Sequence, residues 1–296
     1  MKVRKAVIPA AGLGTRLLPA SKSLPKEMIP LVDKPGIQYV VEEAVLAGIR
    51  DVLIVTGRGK ATMENHFDRS FELEERLEKS GKTEELEAVR GVAELAAVHY
   101  VRQKEALGLG HAVNVARAHV GDEPFAVLLP DEIVPPPLGD EPLLLERMIA
   151  SFEADGASVV AVRRVPREKV SFYGIVAPSG EVVDDIVDVS DLVEKPAVDE
   201  SPSDLAAVGR YVFGPELFDA LDETEPGVGG EIQLTDGIRK LVGDPGVRAY
   251  VHRGPIYDVG KKLDYMKGSI QLALRRDDVG PELREWLRNL LAGSDG

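Results

Sequence analysis

The first half of the chain alternates short apolar runs with longer amphipathic stretches, and this alternation is its strongest constraint on the fold. Residues 37–47 and 107–119 repeat apolar side chains at helical spacing. The short runs are rich in β-branched residues and bounded by breakers, as strands are; they cover residues 5–9, 52–56, 98–102 and 125–130. A strand–helix–strand order predicts a largely parallel sheet with helices on both faces.

The pattern changes after three consecutive prolines, Pro135 to Pro137. Strand-like runs follow, several of them separated by turns, at residues 158–163, 175–177, 182–189 and 206–213. Helical patterns return at residues 231–241, 262–276 and 281–291. We therefore predict mixed or antiparallel pairing in this half. Overall we expect one compact α/β domain with a Rossmann-like mixed, mostly parallel sheet flanked by helices.

Residues 61–90 are highly charged, and Glu72 and Glu75 each stand four residues before a basic side chain. Such pairs stabilise an exposed helix surface. The segment is predicted to form a solvated helix, or a helical hairpin broken at Gly81.

Composition excludes several classes of function. The 296 residues carry 36 Lys and Arg against 50 Asp and Glu, a net charge of −14. A general nucleic-acid or anionic-membrane binder needs a basic face, so we expect neither partner. The chain has no cysteine, which excludes disulfides, thiolate zinc sites and thiol nucleophiles.

Residues 1–34 oppose this acidic average, because they hold seven basic side chains against Glu27 and Asp33. A secretory signal is one interpretation of a basic start followed by apolar residues. However, Pro9, Gly12 and Gly14 interrupt the helical apolar core that such a signal needs. We expect a cytoplasmic protein whose N-terminal segment binds anions.

A glycine-rich turn, Ala10-Ala11-Gly12-Leu13-Gly14-Thr15-Arg16, follows the first predicted strand. Glycines after a strand let backbone N–H groups approach a phosphate closely. The dinucleotide fingerprint fails because its third glycine would stand at Leu17. The Walker pattern also fails, since its nearest match is Gly59-Lys60-Ala61.

What remains is a turn with two cations, Arg16 and Lys26, in one loop. Backbone donors with two cations suit a triphosphate. A tight turn with surface cations is the alternative.

The run from residue 7 to residue 45 closely resembles the bacterial UTP–glucose-1-phosphate uridylyltransferases, a branch of the sugar nucleotidyltransferases. The resemblance continues in the same order over nearly the whole chain, at ENHFD (64–68), FELE (71–74), VRQ (101–103), GLGHA (108–112), LPD (129–131), YG (173–174), EKP (194–196), VGRY (208–211), GEIQLTD (230–236) and DVG (258–260). Each motif alone is weak, and together they are specific.

The resemblance implies a glycosyltransferase-A-like nucleotidyltransferase fold in a single domain, residues 1–296. Residues 1–134 would form mainly the nucleotide-binding lobe, and residues 135–296 mainly the sugar-phosphate lobe with the C-terminal helices. The implied reaction transfers UMP from UTP to α-D-glucose 1-phosphate and gives UDP-glucose and pyrophosphate. Mg²⁺ is the implied cofactor, and the implied assembly is a homo-oligomer, a dimer or a tetramer.

The predicted nucleotide-binding residues share the glycine turn or the loop after the third strand: Ala10, Ala11, Gly12, Gly14, Thr15, Arg16, Lys26, Gln103, Gly108 and Gly110. Gln103 offers a donor and an acceptor to a uracil edge, and the two later glycines would leave room for the base. His111 is taken as structural.

Asp131 follows a buried-looking strand, where open α/β sheets place their ligand crevice. A carboxylate there suits Mg²⁺, although a strand-end Asp also often caps a helix or forms a turn. The resemblance assigns the metal to Asp131 and Asp258, with Glu132 as a lower-ranked ligand. The predicted sugar-phosphate residues follow from the same resemblance: Tyr173, Gly174, Glu194, Lys195, Val208, Gly209 and Glu231.

The predicted catalytic residues are Arg16, Lys26, Lys195 and Asp131. They support direct in-line displacement by positioning and charge, without a covalent intermediate. Alternatives are thymidylyl or other sugar-1-phosphate nucleotidyl transfer, a non-catalytic nucleotide-sugar-binding regulator, and a dehydrogenase, which Leu17 disfavours.

One residue departs from the family pattern. Gly36 stands where a larger apolar residue is usual, and because glycine is a poor helix former we expect a looser start of the next helix.

Overall fold

The computed structural model describes residues 1–139, 141–243 and 245–293. Within these ranges the strands are β1 Lys5–Ala10, β2 Pro30–Leu31, β3 Lys34–Pro35, β4 Asp51–Thr56, β5 Ala97–Arg102, β6 Phe125–Leu128, β7 Glu132–Ile133, β8 Ser158–Arg164, β9 Gly174–Val183, β10 Ile186–Glu194, β11 Leu205–Phe213, β12 Val247–Val251 and β13 Tyr257–Asp258. The α-helices there are α1 Gly36–Leu46, α2 Ala61–Phe67, α3 Phe71–Lys79, α4 Thr83–Ala93, α5 Leu109–Asn114, α6 Arg117–Val120, α7 Leu144–Asp155, α8 Glu216–Asp222, α9 Leu234–Arg239, α10 Lys262–Leu274 and α11 Gly280–Ala292.

One central sheet joins strands from both halves of the chain, in the order β5-β4-β1-β6-β11-β8-β12-β10-β9. The four strands from β5 to β6 are parallel. Beyond β6 the pairs are antiparallel, except for the parallel pair β8 and β12. The mixed sheet flanked by helices is confirmed, and so is the change of pairing after the proline run. Of the eight pairs of neighbouring strands in this sheet, within the described ranges, four are parallel and four antiparallel.

Helices cover both faces of the sheet, and the side chains of β1 point alternately to one face and the other. Ile8 packs into one buried cluster with apolar residues of α1, α2 and α7. Val7 packs into a second cluster with residues of α5, α8 and α9. This burial fixes the strand register, so the carboxyl ends of β1 and β6 open together at one edge.

The charged segment forms a helical hairpin, as predicted. Helices α3 and α4 flank Gly81, which has a φ of 68°. Glu74 in α3 accepts hydrogen bonds from Arg69 and Arg90 on either side of the break. The ion pair with Arg90 joins α4 to α3, and the pair with Arg69 holds the segment that precedes α3.

Some predicted elements are wrong in extent. The run 182–189, predicted as one strand, contains a hairpin turn at Asp184 and Asp185, whose φ values are 51° and 65°. Two consecutive left-handed residues make the tight turn that joins twisted antiparallel strands. The predicted helix at 107–119 is divided into α5 and α6, and the helix at 231–241 is only α9. The sequence patterns missed α7, α8 and β12.

No helix in the described ranges has the length and apolar character needed to cross a lipid bilayer.

Helix α1 begins at Gly36, and the Gly36 N–H donates to the carbonyl oxygen of Ile29 at 3.3 Å. A Cβ placed on Gly36 would lie 3.6 Å from the Glu27 oxygen and 3.9 Å from the Pro130 oxygen, which is ordinary contact. We therefore expect Gly36→Ala to raise the free energy of unfolding by about 0.4–1 kcal/mol, because alanine restricts the unfolded chain. Urea denaturation of both proteins measures this, and a lower midpoint for the variant would contradict it.

Candidate active site

A cleft of about 510 Å³ lies at the carboxyl edge of β1 and β6. Many of the predicted nucleotide-site residues line it together with two predicted carboxylates: Ala11, Gly12, Gly14, Thr15, Lys26, Gln103, Gly108, Asp131 and Glu231. These residues come from segments far apart in sequence, and the sheet brings them together.

The other predicted nucleotide residues lie beside the cleft. Ala10 is buried at the end of β1, and Arg16 is exposed in the short 3₁₀ turn that follows Gly14. Gly110 packs on the backbone of Ile232, to whose oxygen its N–H donates at 2.8 Å. A Cβ on Gly110 would stand 2.8 Å from that oxygen, so the glycine is required by the packing of this segment. That Gly110 leaves room for the nucleotide base stays a prediction.

The glycine turn folds directly over Lys26. Gly14 has a φ of 66°, and a Cβ there would stand 3.0 Å from the Lys26 Cβ. The Ser21 hydroxyl donates to the Gly14 oxygen at 2.7 Å and closes the loop. Gly14 is therefore required both by its left-handed backbone and by this close approach.

Lys26 and Asp131 form an ion pair with 2.7 Å between Nζ and Oδ2. Burial raises the pKa of the Asp131 carboxyl, but Lys26, and more weakly Arg16, outweigh it and hold this pKa below the ordinary value. Burial likewise opposes the Lys26 charge, yet Asp131 leaves the pKa of that ammonium raised. Both groups are therefore charged at neutral pH.

A second, buried pair lies beneath the glycine turn, and the sequence reasoning missed it. Lys60 donates to Glu27 Oε2 at 2.9 Å and to the backbone oxygen of Ala10. Its ammonium fixes the end of β1 where the turn begins. Because Lys60 belongs to the rejected Walker match, no role was predicted for it.

Asp258 meets Asp131 around Gly260. A Cβ on Gly260 would lie 3.1 Å from Asp258 Oδ1 and 3.4 Å from Asp131 Oδ2. Two carboxylates this close repel each other without a cation, and oxygen donors are what Mg²⁺ prefers. Lys26 and Lys261 partly supply that charge, with 2.7 Å from Lys26 Nζ to Asp131 Oδ2 and 2.7 Å from Lys261 Nζ to Asp258 Oδ2. The two predicted ligands therefore fit a divalent cation.

The Glu132 carboxylate is hydrogen-bonded to β11. Its Oε2 accepts a hydrogen bond from the Gly209 N–H in β11. Burial raises the pKa of this carboxyl, and nearby Asp131 raises it further. A Cβ on Gly209 would lie 2.6 Å from the Leu129 Cβ and 2.9 Å from Glu132 Oε2, so Gly209 lets β11 approach the loop before Asp131.

Four of the predicted sugar-phosphate residues lie together where β9 pairs with β10, namely Tyr173, Gly174, Glu194 and Lys195. The Thr235 hydroxyl donates to Glu194 Oε2 at 2.7 Å, and a Cβ on Gly174 would stand 3.1 Å from that hydroxyl. Thr235 had no predicted role, although it lies in a matched motif. Val208 is buried in β11.

Lys195 has a φ of 47°, a left-handed conformation that is strained for a lysine. Its N–H donates to the Tyr173 oxygen at 3.0 Å, and its Nζ lies 2.8 Å from Glu194 Oε1. The Lys261 ammonium stands 5.6 Å from the centre of the Tyr173 ring. Tyr173 thus contacts both Lys195 and Lys261, the lysine that is paired with Asp258.

The side chain of Gln103 has a fixed orientation. Its Nε2 donates to the Gly108 oxygen at 3.2 Å and lies 2.9 Å from His111 Nδ1. A carbonyl oxygen only accepts, so Nε2 must occupy this position and His111 Nδ1 must accept its other proton. His111, for which only a structural role was predicted, therefore contacts a predicted base-binding residue.

A buried ion pair supports the loop that carries Asp131. Arg210 in β11 is fully buried and donates to Glu43 of α1 from Nε and Nη2, at distances down to 2.7 Å. Its two terminal nitrogens also donate to the oxygens of Leu129 and Glu132, at 3.0 and 2.7 Å. Arg210 thus holds the backbone on both sides of Asp131, a role that the sequence reasoning missed.

Comparison with known proteins agrees with this geometry. A model of the nucleotidyl transferase family matches residues 5–274. A UTP–glucose-1-phosphate uridylyltransferase of Bacillus subtilis is 50% identical over 293 residues, which cover 98% of each chain. One of Staphylococcus saprophyticus is 48% identical over 290 residues, covering 98% of this chain and 99% of its own.

Solved structures show the same fold. A UTP-bound UGPase from Acinetobacter baumannii has a TM-score of 0.90 at 43% identity and covers 97% of this chain and 99% of its own. A UDP-glucose pyrophosphorylase complexed with UDP-glucose has a TM-score of 0.83 at 40% identity, covering 93% of this chain and all of its own. The chain therefore belongs to the nucleotidyl transferase family and, within it, to the UTP–glucose-1-phosphate uridylyltransferases.

Proposed function

We propose that this enzyme transfers UMP from UTP to α-D-glucose 1-phosphate, giving UDP-glucose and pyrophosphate. The observation that carries the proposal is the cleft in which the glycine turn, the Lys26–Asp131 pair and Gln103 meet. A cleft with cations, backbone donors and carboxylates suits phosphoryl chemistry that proceeds by positioning and charge stabilisation.

In the proposed mechanism the glycine turn binds the triphosphate through backbone N–H groups, while Arg16 and Lys26 offset its negative charge. Lys195 orients the sugar phosphate so that its oxygen attacks the α-phosphorus in line with the leaving pyrophosphate. Glu194 and Glu231 accept hydrogen bonds from sugar hydroxyls. Asp131 and Asp258 would hold Mg²⁺, which neutralises phosphate charge when bound.

We further propose that residues 1–134 serve mainly the nucleotide and residues 135–296 mainly the sugar phosphate. The partners are then small molecules, namely UTP, glucose 1-phosphate, UDP-glucose and pyrophosphate. The acidic net charge of −14 supports the absence of nucleic-acid and membrane partners. We propose a cytoplasmic homo-oligomer, a dimer or a tetramer.

Pyrophosphate release across a panel of nucleoside triphosphates and sugar 1-phosphates, with and without Mg²⁺, tests the function. We expect release with UTP and glucose 1-phosphate and its loss when the metal is removed. Faster release with dTTP would favour thymidylyl transfer. Nucleotide binding without any release would favour a non-catalytic regulator.

The fixed Gln103 amide predicts base selectivity. Its Oε1 is left to accept from the imide N–H that uracil has and cytosine lacks. His111→Ala removes one of the two contacts that hold this orientation. We expect kcat/KM for UTP to fall about five- to tenfold, as for one neutral hydrogen bond, with a smaller UTP preference over CTP. Steady-state kinetics with both nucleotides measures this.

His99→Ala is the matched control, since His99 lies on β5 away from the cleft. It should leave both kcat/KM values unchanged. An unaltered UTP to CTP ratio in His111→Ala would contradict the assigned role.

A further inference from the structure

Three side chains with metal-binding chemistry meet outside the active site. Asp51 is the first residue of β4, His99 lies in β5 and His119 lies in α6. Leu53 shares a strand face with Asp51 because alternate strand residues point the same way. His99 is the register partner of Leu53 on the neighbouring strand, and α6 covers this face. The fold therefore brings the three groups to one place.

The distances between the three donor atoms are close to those between ligands of one metal ion. Asp51 Oδ1 is 2.8 Å from His119 Nε2 and 3.7 Å from His99 Nε2. All three donor atoms lie within 4.8 Å of one another, and the two imidazole centres are 4.7 Å apart. Around a tetrahedral ion with bonds of about 2.0–2.1 Å, donors stand about 3.3 Å apart. Small side-chain rotations would bring the three groups to that spacing.

The surroundings leave the site accessible. The His99 side chain is 51% exposed and that of Asp51 35% exposed, so water or another ligand can complete the coordination. The nearby cation Lys5 is engaged, since its Nζ lies 2.7 Å from Glu123 and donates to the backbone oxygens of His119 and Val120.

We propose that Asp51, His99 and His119 bind a transition-metal dication, Zn²⁺ first among them. Two imidazoles and one carboxylate suit Zn²⁺, whereas Mg²⁺ prefers oxygen donors alone. The ligands come from β4, β5 and α6, so the ion would tie the edge strand β5 to its neighbour and to a covering helix. This site is separate from the Asp131 and Asp258 pair and does not depend on the proposed reaction.

Isothermal titration with Zn²⁺, on the full chain and in excess Mg²⁺, tests the proposal. We expect one Zn²⁺ per chain, at least tenfold weaker binding in His99→Ala and in His119→Ala, and a higher melting temperature with Zn²⁺ in the wild type but in neither histidine variant. Asp122→Asn, a charge change at an exposed residue just after α6 and outside the triad, should bind Zn²⁺ like the wild type.

Zn²⁺ binding as strong in both histidine variants as in the wild type would overturn the site, as would no binding in the wild type. Sedimentation is run in parallel. A Zn²⁺-dependent increase in mass that His99→Ala abolishes would assign these residues to a contact between copies and would also overturn the intrachain site. Pyrophosphate release by His99→Ala should equal that of the wild type, so a failure of the proposed reaction is recognised separately.

Discussion

Asp131→Asn is expected to lower kcat by about 10²–10³, the loss typical when a preorganised electrostatic contact to the transition state is removed. The variant keeps the shape of the side chain but removes the charge that pairs with Lys26 and faces Asp258. Steady-state pyrophosphate release at saturating UTP and glucose 1-phosphate measures the effect. Asp131 lies just after β6 and outside the apolar clusters, so the variant should stay folded, with a melting temperature lowered only by the loss of the Lys26 ion pair.

Asp122→Asn is the matched control for this variant. Asp122 is an exposed residue shortly before β6, so the same chemical change at the opposite end of that strand should leave kcat within twofold of the wild type. A near-normal kcat in Asp131→Asn would reject the role assigned to this carboxylate. A reduced kcat in both variants would point to a general effect on the segment around β6.

Arg210→Met is expected to lower the free energy of unfolding by about 3–5 kcal/mol, because it leaves the Glu43 carboxylate buried without its partner. It also removes the donors to the Leu129 and Glu132 oxygens. Urea or guanidinium denaturation, followed by circular dichroism, measures the loss. Activity should fall as well, since both contacts hold the backbone around Asp131.

Two further variants separate the buried pair from a general effect of losing an arginine. Arg210→Met combined with Glu43→Leu should regain much of the lost stability, because no unpaired charge remains in the core. Arg164→Met removes an arginine whose pair with Asp204 is exposed, and should cost less than about 1 kcal/mol. Equal losses in Arg210→Met and Arg164→Met would contradict this account.

The sequence predicted the sheet well because its signals are local. Short β-branched runs flanked by breakers identify β1, β4, β5 and β6 without knowledge of their neighbours. The hairpin between β9 and β10 was missed because the run 182–189 was taken as one strand, although the adjacent Asp184 and Asp185 interrupt its apolar residues. Aspartate is a common turn residue and tolerates the left-handed backbone found at both positions.

The residues of the candidate site likewise fall into those that local sequence predicts and those that it does not. The glycine turn and Asp131 are placed by a neighbouring strand, so local sequence predicts them. Lys60, Thr235 and Arg210 act through partners 33 to 167 residues away in the chain. No local pattern encodes such contacts, and the motifs that contain these residues gave no reason to separate them from their neighbours.

Three lysines in and around the predicted site are each paired with a carboxylate. Lys26 is paired with Asp131, Lys195 with Glu194 and Lys261 with Asp258, at 2.7, 2.8 and 2.7 Å. We therefore expect ligand binding to proceed as an exchange of partners, in which phosphates take over the ammonium groups while hydroxyls and a cation take over the carboxylates. The pairs thus neutralise the charges of both partners, and we expect the substrates and the cation to separate them on binding.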